Sequence, residues 1–394
     1  IDRWAEQRCD GDDVAVINEA LAAGWLDNST ETDPEVARLV AQYRDVERRL
    51  QPDQTIGGLD DWREAADAAV AVRGEPGHAG AVVPRGTIRF LEDLATRPDT
   101  RGSGRLEVAR SLAHVRNPLT ARVFVNRVWL HLFGDGLVRT PDDFGHLGEH
   151  PSHPQLLDFL ASRFMEEGWS LKKLVREIVM SATWSQASEP ATEAVALDPE
   201  NRLLHHWPRR RLEAEAIRDA MLSVAGRLDP TLGGEPVQPS RVKEDAAKRL
   251  FSGPLDGDGR RSLYLRMTLM EPPRFLALFN QPIPQMTVGK RDRSTVPEQA
   301  LALLNDPFVR SMADAWGTRQ RHACGDDLAT GASAMLMAGL GRPGSAVEVK
   351  QLLEVARACS QARAAASEQP QDPAAEWRDM AHTIFLMPEF SHVE

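Results

Sequence analysis

The chain has 394 residues, enough for one large domain or two to three smaller ones, and its 42% hydrophobic and 27% charged residues are the balance of a globular protein with a sizeable core. A formal net charge of −11 argues against broad nucleic-acid binding, which needs a basic face. No stretch approaches the roughly 20 apolar residues of a membrane helix, so no membrane span is expected.

Helical periodicity dominates. Segments 12–24, 34–50 and 59–72 read as N-terminal helices, the second opening at Thr32-Asp33-Pro34-Glu35 with Pro34 in its first turn. The Gly/Pro-rich tract from Arg73 to Gly86 reads as an extended linker that ends this region. Further helices are expected at 87–96, 103–113, 118–133, 153–167, 170–181 and 208–227, with Ser152 ahead of the fourth and Ser170 as cap of the fifth. Residues 229–260 read as a long surface loop, and Ser262–Met267 is the best strand candidate. Helices return at 297–317, 326–339, 346–366 and 373–386. The expected fold is therefore mainly α, a multi-helix globular domain with one or two short strands and long Gly/Pro-rich loops. It divides into an N-terminal helical region (1–72), the linker (73–86), a helical core domain (87–320) and C-terminal helices packing on that core (321–394).

Cys9, Cys324 and Cys359 lie far apart, and no CxxC or CxxCH occurs, so neither a zinc ribbon nor a covalently attached c-type haem is expected in this chain. One disulfide with a free thiol and three isolated thiols are both open. The first residues, Ile1-Asp2-Arg3-Trp4, lack Met and suggest a processed chain or an internal fragment. There is no Gly-rich phosphate loop and no GxSxG nucleophile elbow.

A family emerges from ordered blocks of residues. Asn117-Pro118-Leu119-Thr120-Ala121-Arg122-Val123-Phe124-Val125-Asn126-Arg127-Val128-Trp129 leads into Phe133-Gly134-Asp135-Gly136-Leu137-Val138-Arg139-Thr140 and Asp143-Phe144-Gly145. Pro151–Asp158, Gly168–Lys172, Ser181-Ala182-Thr183, Arg210–Asp219 and Thr295–Leu301 follow in the same order. Over roughly residues 73–390 the chain resembles domain-of-unknown-function family 1553, abundant in planctomycetes. The resemblance implies an exported protein, hence a periplasmic or secreted setting. It also implies neighbouring modules, a cytochrome-c-like one and a second uncharacterised domain among them. It carries no catalytic residue with it.

Five clusters could carry chemistry. Asp142, Asp143, His146, Glu149, His150 and His153 are dense enough for a metal site, although their spacing matches no established signature, and a structural role is the preferred reading. Asn126 and Arg127, beside Arg122, interrupt the apolar pattern of helix 118–133 and could grip a carboxylate or a sugar hydroxyl. The preferred alternative is an ion pair from Arg127 to Asp142 or Asp143 that pins the following loop. In Arg209–Asp219, Glu215, Arg218 and Asp219 are site candidates, but spacing favours ion pairs of Glu215 with Arg211 and with Arg218. Adjacent His205 and His206 should point different ways, and the basic tract Lys290-Arg291-Asp292-Arg293 could meet an anion near the helix opening at Pro297.

The leading expectation is a binding or scaffold domain acting beside other protein modules or chains, with a c-type cytochrome as one such partner and no cofactor of its own. The rival is a hydrolase or lyase acting on polysaccharide through carboxylates such as Asp142, Asp143, Glu213 or Glu215, with Arg127 on the substrate. That rival requires at least two of these carboxylates to line one concave pocket.

Overall fold

In the computed structural model the chain divides into two compact units, Ile1–Trp62 and Arg63–Glu394. The structure describes residues 66–86, 102–241, 252–268, 272–366 and 374–393, with Arg38, Gln42 and Asp372. The helix expected at 87–96, most of the first two N-terminal helices and Cys9 lie outside the described residues.

The second unit is mainly helical, as the periodicity predicts. Its elements in chain order are β1 (Ala68–Ala71), β2 (Ala79–Val83), α1 (Arg105–Leu112), α2 (Thr120–Phe133), α3 (Pro154–Glu166), α4 (Leu171–Val179), α5 (Thr192–Leu197), β3 (Arg210–Arg211) and α6 (Ala214–Val224). There follow α7 (Arg274–Leu278), α8 (Pro297–Asn305), α9 (Pro307–Cys324), α10 (Leu328–Leu340), α11 (Ala346–Ala366), α12 (Ala375–Leu386) and β4 (His392–Val393). The strands form two antiparallel pairs, β1 with β2 and β3 with β4.

The differences from the sequence expectation have identifiable causes. The end of the expected helix 59–72 is strand β1, and the tract expected to be a linker is a hairpin turn followed by β2. Arg73 and Gly74 adopt positive φ, 56° and 79°, so the chain reverses and pairs Ala68 with Val83. Helix 208–227 starts only at Ala214, because Arg210 and Arg211 pair with the C-terminal Val393 and His392. Helix 297–317 is two helices: Pro307 has no N–H to donate and forces Asp306 into extended geometry, after which the Asp306 carboxylate accepts from Phe308 N at 2.9 Å and caps α9. Ser262–Tyr264 is a 3-10 turn instead of a strand, held because Asp219 Oδ1 accepts both the N–H and the hydroxyl of Ser262 at 2.7 Å.

Two apolar cores organise the unit. In the first, α2, α3 and α4 bury Val125, Trp129, Phe133, Leu160, Phe164 and Ile178, and Trp207 closes it against Phe133 with ring centroids 5.4 Å apart. α3 ends in a Schellman motif: Gly168 takes φ 74°, and Trp169 N donates to Phe164 O at 2.9 Å. Ser152, expected to cap α3, instead donates to Leu137 O and contacts the His153 ring, and Ser170 makes no side-chain cap bond. In the second core, α6, α7, α9, α10 and α12 bury Met221, Phe275, Trp316, Met335, Trp377 and Phe385. Here α9 lies close against α12: a Cβ at Gly317 would come within 2.6 Å of the Arg378 backbone nitrogen, so the residue must be glycine for this approach.

The C-terminal helices are tied by charge. Ser345 and Glu348 form a capping box at the start of α11, with Ser345 N donating to Glu348 at 2.7 Å and Glu348 N donating to Ser345 Oγ at 3.2 Å. Arg342 donates to Glu348 at 2.6 Å and, through a second edge, to Glu389 at 2.6 and 2.7 Å. Arg342 first, then the Ser345 bonds, hold the Glu348 carboxyl down from 4.5 to about 2. Its stabilising contribution is complete above the unfolded value of 4.5 and is lost as pH falls towards about 2. Melting curves recorded across that window should therefore separate wild type from Glu348→Gln at the upper end and converge at the lower end. A gap that stays constant down to the acid limit would show that the bridge contributes nothing through ionisation.

Candidate functional site

A cleft of about 360 Å³ opens where the two cores meet. Its first wall is the C-terminal half of α2, where Arg127 and His131, four residues apart, emerge on one face above buried Leu130. The second is the start of α6, where Glu213 stands at the N-cap position and Glu215 in the first turn, an end of the helix that favours negative charge. The third is the segment 281–293, which supplies Gln281, Arg291, Arg293 and an apolar rim of Ile283, Met286 and Val288.

That third wall is fastened to the turn after α2 at three points. Gly289 N donates to Asp142 Oδ2 at 2.9 Å, Arg293 donates to the Gly134 carbonyl at 3.1 Å, and Lys290 pairs with Asp135. The turn is itself pinned by Asn126, which is fully buried: its amide donates to Val138 O at 2.9 Å and accepts from Val138 N at 2.8 Å. Gly136 passes directly over this amide, where a Cβ would stand 2.7 Å from its nitrogen.

Arg291 Nη1 lies 2.7 Å from Glu215 Oε2 and 3.4 Å from Glu213 Oε2, so both carboxylates are gathered on one guanidinium. His131 Nδ1 is 3.7 Å from Glu213 Oε1. The neighbouring His131, with Arg291 and Arg210 adding to it against the effect of burial, holds the Glu213 carboxyl below its ordinary range. Burial acts to lower the Arg291 pKa, but the bond and charge of Glu215 outweigh it and raise it. Arg210 and Arg211 are lowered, by burial first and then by the Arg293 charge. Arg127 is exposed and makes no hydrogen bond or ion pair among the described residues.

The sequence-derived candidates thus separate. Arg127 and Glu215 meet in the cleft, and Asp142 stands behind its rim. The expected pair from Arg127 to Asp142 or Asp143 does not form: Asp142 binds Gly289 N, and Asp143 Oδ1 accepts from Gly145 N at 2.8 Å in a local turn. Asn126 is a structural pin, and Arg122, expected to share its face, pairs with Asp158 at 2.7 Å. The predicted helical pairs are also replaced. Glu215 goes to Arg291, Arg211 to Asn280 and Gln299, and Arg218 to the Asp256 and Arg260 carbonyls, Ser262 and Asp219. Arg218 and Asp219 therefore brace the 256–262 loop within the second core.

His146 and His150 are exposed, and His153 Nδ1 contacts Ser152 Oγ at 3.0 Å. Among the described residues no three His, Cys, Asp or Glu side chains gather as a metal-ligand set. His205 and His206 do meet, with Nδ1 atoms 3.2 Å apart, just after Leu204 takes φ 55°. Cys324 and Cys359 are free thiols.

His131 and Gln281 escaped the sequence reading. His131 follows Arg127 by four residues on a helix, which is the signal that could have found it; Gln281 carried no local signal.

The PSD1 family, described as a protein of unknown function (DUF1553), has a model that matches residues 104–356. The chain belongs to this family. The match takes in α1 through the first half of α11, a shorter stretch than the roughly 73–390 given to the resemblance, and it includes every cleft residue named above. No curated protein and no solved structure matches the chain.

Because the cleft of this PSD1 domain is shaped by Asn126, the substitution Asn126→Leu tests its support. It leaves the Val138 N–H and C=O dry and unpaired, at a cost of about 1–3 kcal/mol for each stranded group. Urea unfolding should place the variant below wild type by that amount, and an unchanged midpoint would refute the pinning role.

Proposed function

We propose that the chain is an anion-binding helical domain that acts beside other protein modules. The observation that carries this reading is the charge balance of the cleft. The guanidiniums of Arg127, Arg291 and Arg293 face the carboxylates of Glu213 and Glu215, and both carboxylates are held by Arg291. Arg127 is left as an open planar fork, the geometry that binds a carboxylate or another oxyanion through two parallel bonds. Among the described residues Arg293 bonds only to a carbonyl, which leaves its charge uncompensated. On a protein of net charge −11, such a local positive cleft draws an anion to one place on the surface.

The extracytoplasmic setting, and a cytochrome-bearing module as neighbour, rest on the resemblance of the sequence blocks to exported family members. A second reading, a polysaccharide hydrolase or lyase, is supported by Glu213 and Glu215 sharing the cleft with Arg127. In a pair of catalytic carboxyls, one must hold its proton while the other stays ionised. Glu213, held low, fits the base or charge-stabilising role and not the acid.

The proposal is tested on the full chain by thermal melting in sodium acetate and sodium sulfate, against sodium chloride at equal ionic strength. A ligand present at 100 times its Kd stabilises by about 2.7 kcal/mol, so a saturable rise in Tm is expected for wild type. Arg127→Ala, an exposed change, should melt like wild type in chloride and lose that rise. Identical behaviour of wild type in all three salts would overturn the proposal.

A further inference from the structure

We infer that the anion taken by this cleft is an acidic sugar, a monoanion that carries hydroxyl donors beside its carboxylate. The inference rests on the anion-binding reading and adds the chemistry of the remainder of the ligand.

The cleft offers acceptors as well as cations. Gln281 Oε1 is enclosed by protein and has no hydrogen-bond donor, while its amide nitrogen is turned towards Glu215 Oε1 at 3.4 Å. Being enclosed, that oxygen is closed to a ligand, and Gln281 acts on the cleft wall instead, through the amide directed at the Glu215 carboxylate. Glu213 is the open acceptor: its contacts with Arg291 and His131, at 3.4 and 3.7 Å, are ion-pair distances longer than good hydrogen bonds. Its carboxylate lines the cleft with its side chain 40% exposed, which keeps acceptor positions open there. A ligand that satisfies this surface puts an anionic group on Arg127 and presents O–H or N–H groups to Glu213.

Hydroxyls and an ammonium would both donate, and charge decides between them. Three guanidiniums against two carboxylates leave one positive charge, which a hydroxylated monoanion neutralises and a zwitterionic amino acid does not. An ammonium would also sit beside Arg291, the cation already bound to both acceptor carboxylates. The rim of Ile283, Met286 and Val288 gives an apolar surface for the C–H face of a ring. At about 360 Å³ the space lies at the low end of the roughly 300–1,000 Å³ of small-molecule sites, which suits a small saccharide and not a macromolecular surface.

Isothermal titration of the full chain with D-glucuronate, D-glucose, acetate and glycine, at one pH and ionic strength, tests this. D-Glucuronate is expected to bind at least about tenfold more tightly than acetate, with D-glucose and glycine weaker than either. Glu213→Ala and, as an independent variant of nearly unchanged shape, Glu213→Gln should bring D-glucuronate down to the level of acetate while acetate binding persists. Equal affinity of wild type for D-glucuronate and acetate would overturn the acidic-sugar inference and leave the anion-binding reading standing. Tighter binding of glycine than of D-glucuronate would overturn it in favour of an amino acid. No binding of any of the four would remove both.

Discussion

Asn126 sits at zero exposure in the first core, and its side-chain amide does for Val138 what a neighbouring strand would do, accepting its N–H and donating to its carbonyl. A buried backbone group must find a partner, and here the partner is a side chain fixed on a rigid helix. The turn from Gly134 to Asp142 is therefore set relative to α2, with Gly136 giving the clearance that the amide needs. From that turn the remaining contacts follow: Gly134 receives Arg293, Asp135 pairs with Lys290, and Asp142 receives Gly289 N. The segment 281–293 carries most of the cleft, yet it contains no helix or strand of its own. Its shape is borrowed from a turn 147 residues earlier, which in turn depends on one amide.

The cleft lies between the two cores, and each supplies one of its walls. α2 belongs to the first and brings Arg127 and His131; α6 belongs to the second and brings Glu213 and Glu215 at an end where the helix dipole favours them. Arg291 joins the two acids by bonding Glu215 and approaching Glu213, and it gains a raised pKa in spite of its burial. Its one positive charge offsets half of the two negative charges, so with Arg127 and Arg293 the cleft keeps a net positive charge of one.

The same region gathers arginines more closely than their mutual repulsion would favour. Arg210 and Arg293 both pack on Gly134 at the end of α2, and the proximity lowers the pKa of Arg210 and of Arg211 beyond what burial does. Part of the compensation is local, since the carbonyl end of a helix attracts positive charge and the Gly134 carbonyl accepts from Arg293. Arg211 finds its own partners in Asn280, Gln299 and the Ser294 carbonyl. Among the described residues Arg210 has no such partner, and its buried Nε is without a hydrogen bond.

By itself the sequence determined the mainly helical class, the family, and the existence of most helices from α1 onward, because apolar residues at helical spacing and Gly, Pro and Ser punctuation are local signals. It marked Arg127, Glu215 and the basic tract 290–293 as residues with chemistry to offer. Partner choice was decided by the tertiary structure. Spacing along one helix favoured Glu215 with Arg211 or Arg218, but burial of Arg218 turned it to carbonyls, and Arg291 from a segment 76 residues away reached Glu215 at 2.7 Å. Asn126 and Arg127 are neighbours in sequence, yet the roughly 100° step of a helix sends the first into the core and the second to the cleft. The strands fell to long-range pairing as well: nothing local in Arg210–Arg211 announces His392–Val393, and the Ala-rich β1 becomes a strand only because Gly74 turns β2 back against it. Such pairings and ion pairs are settled by which surfaces burial brings together, and a one-dimensional pattern does not contain that information.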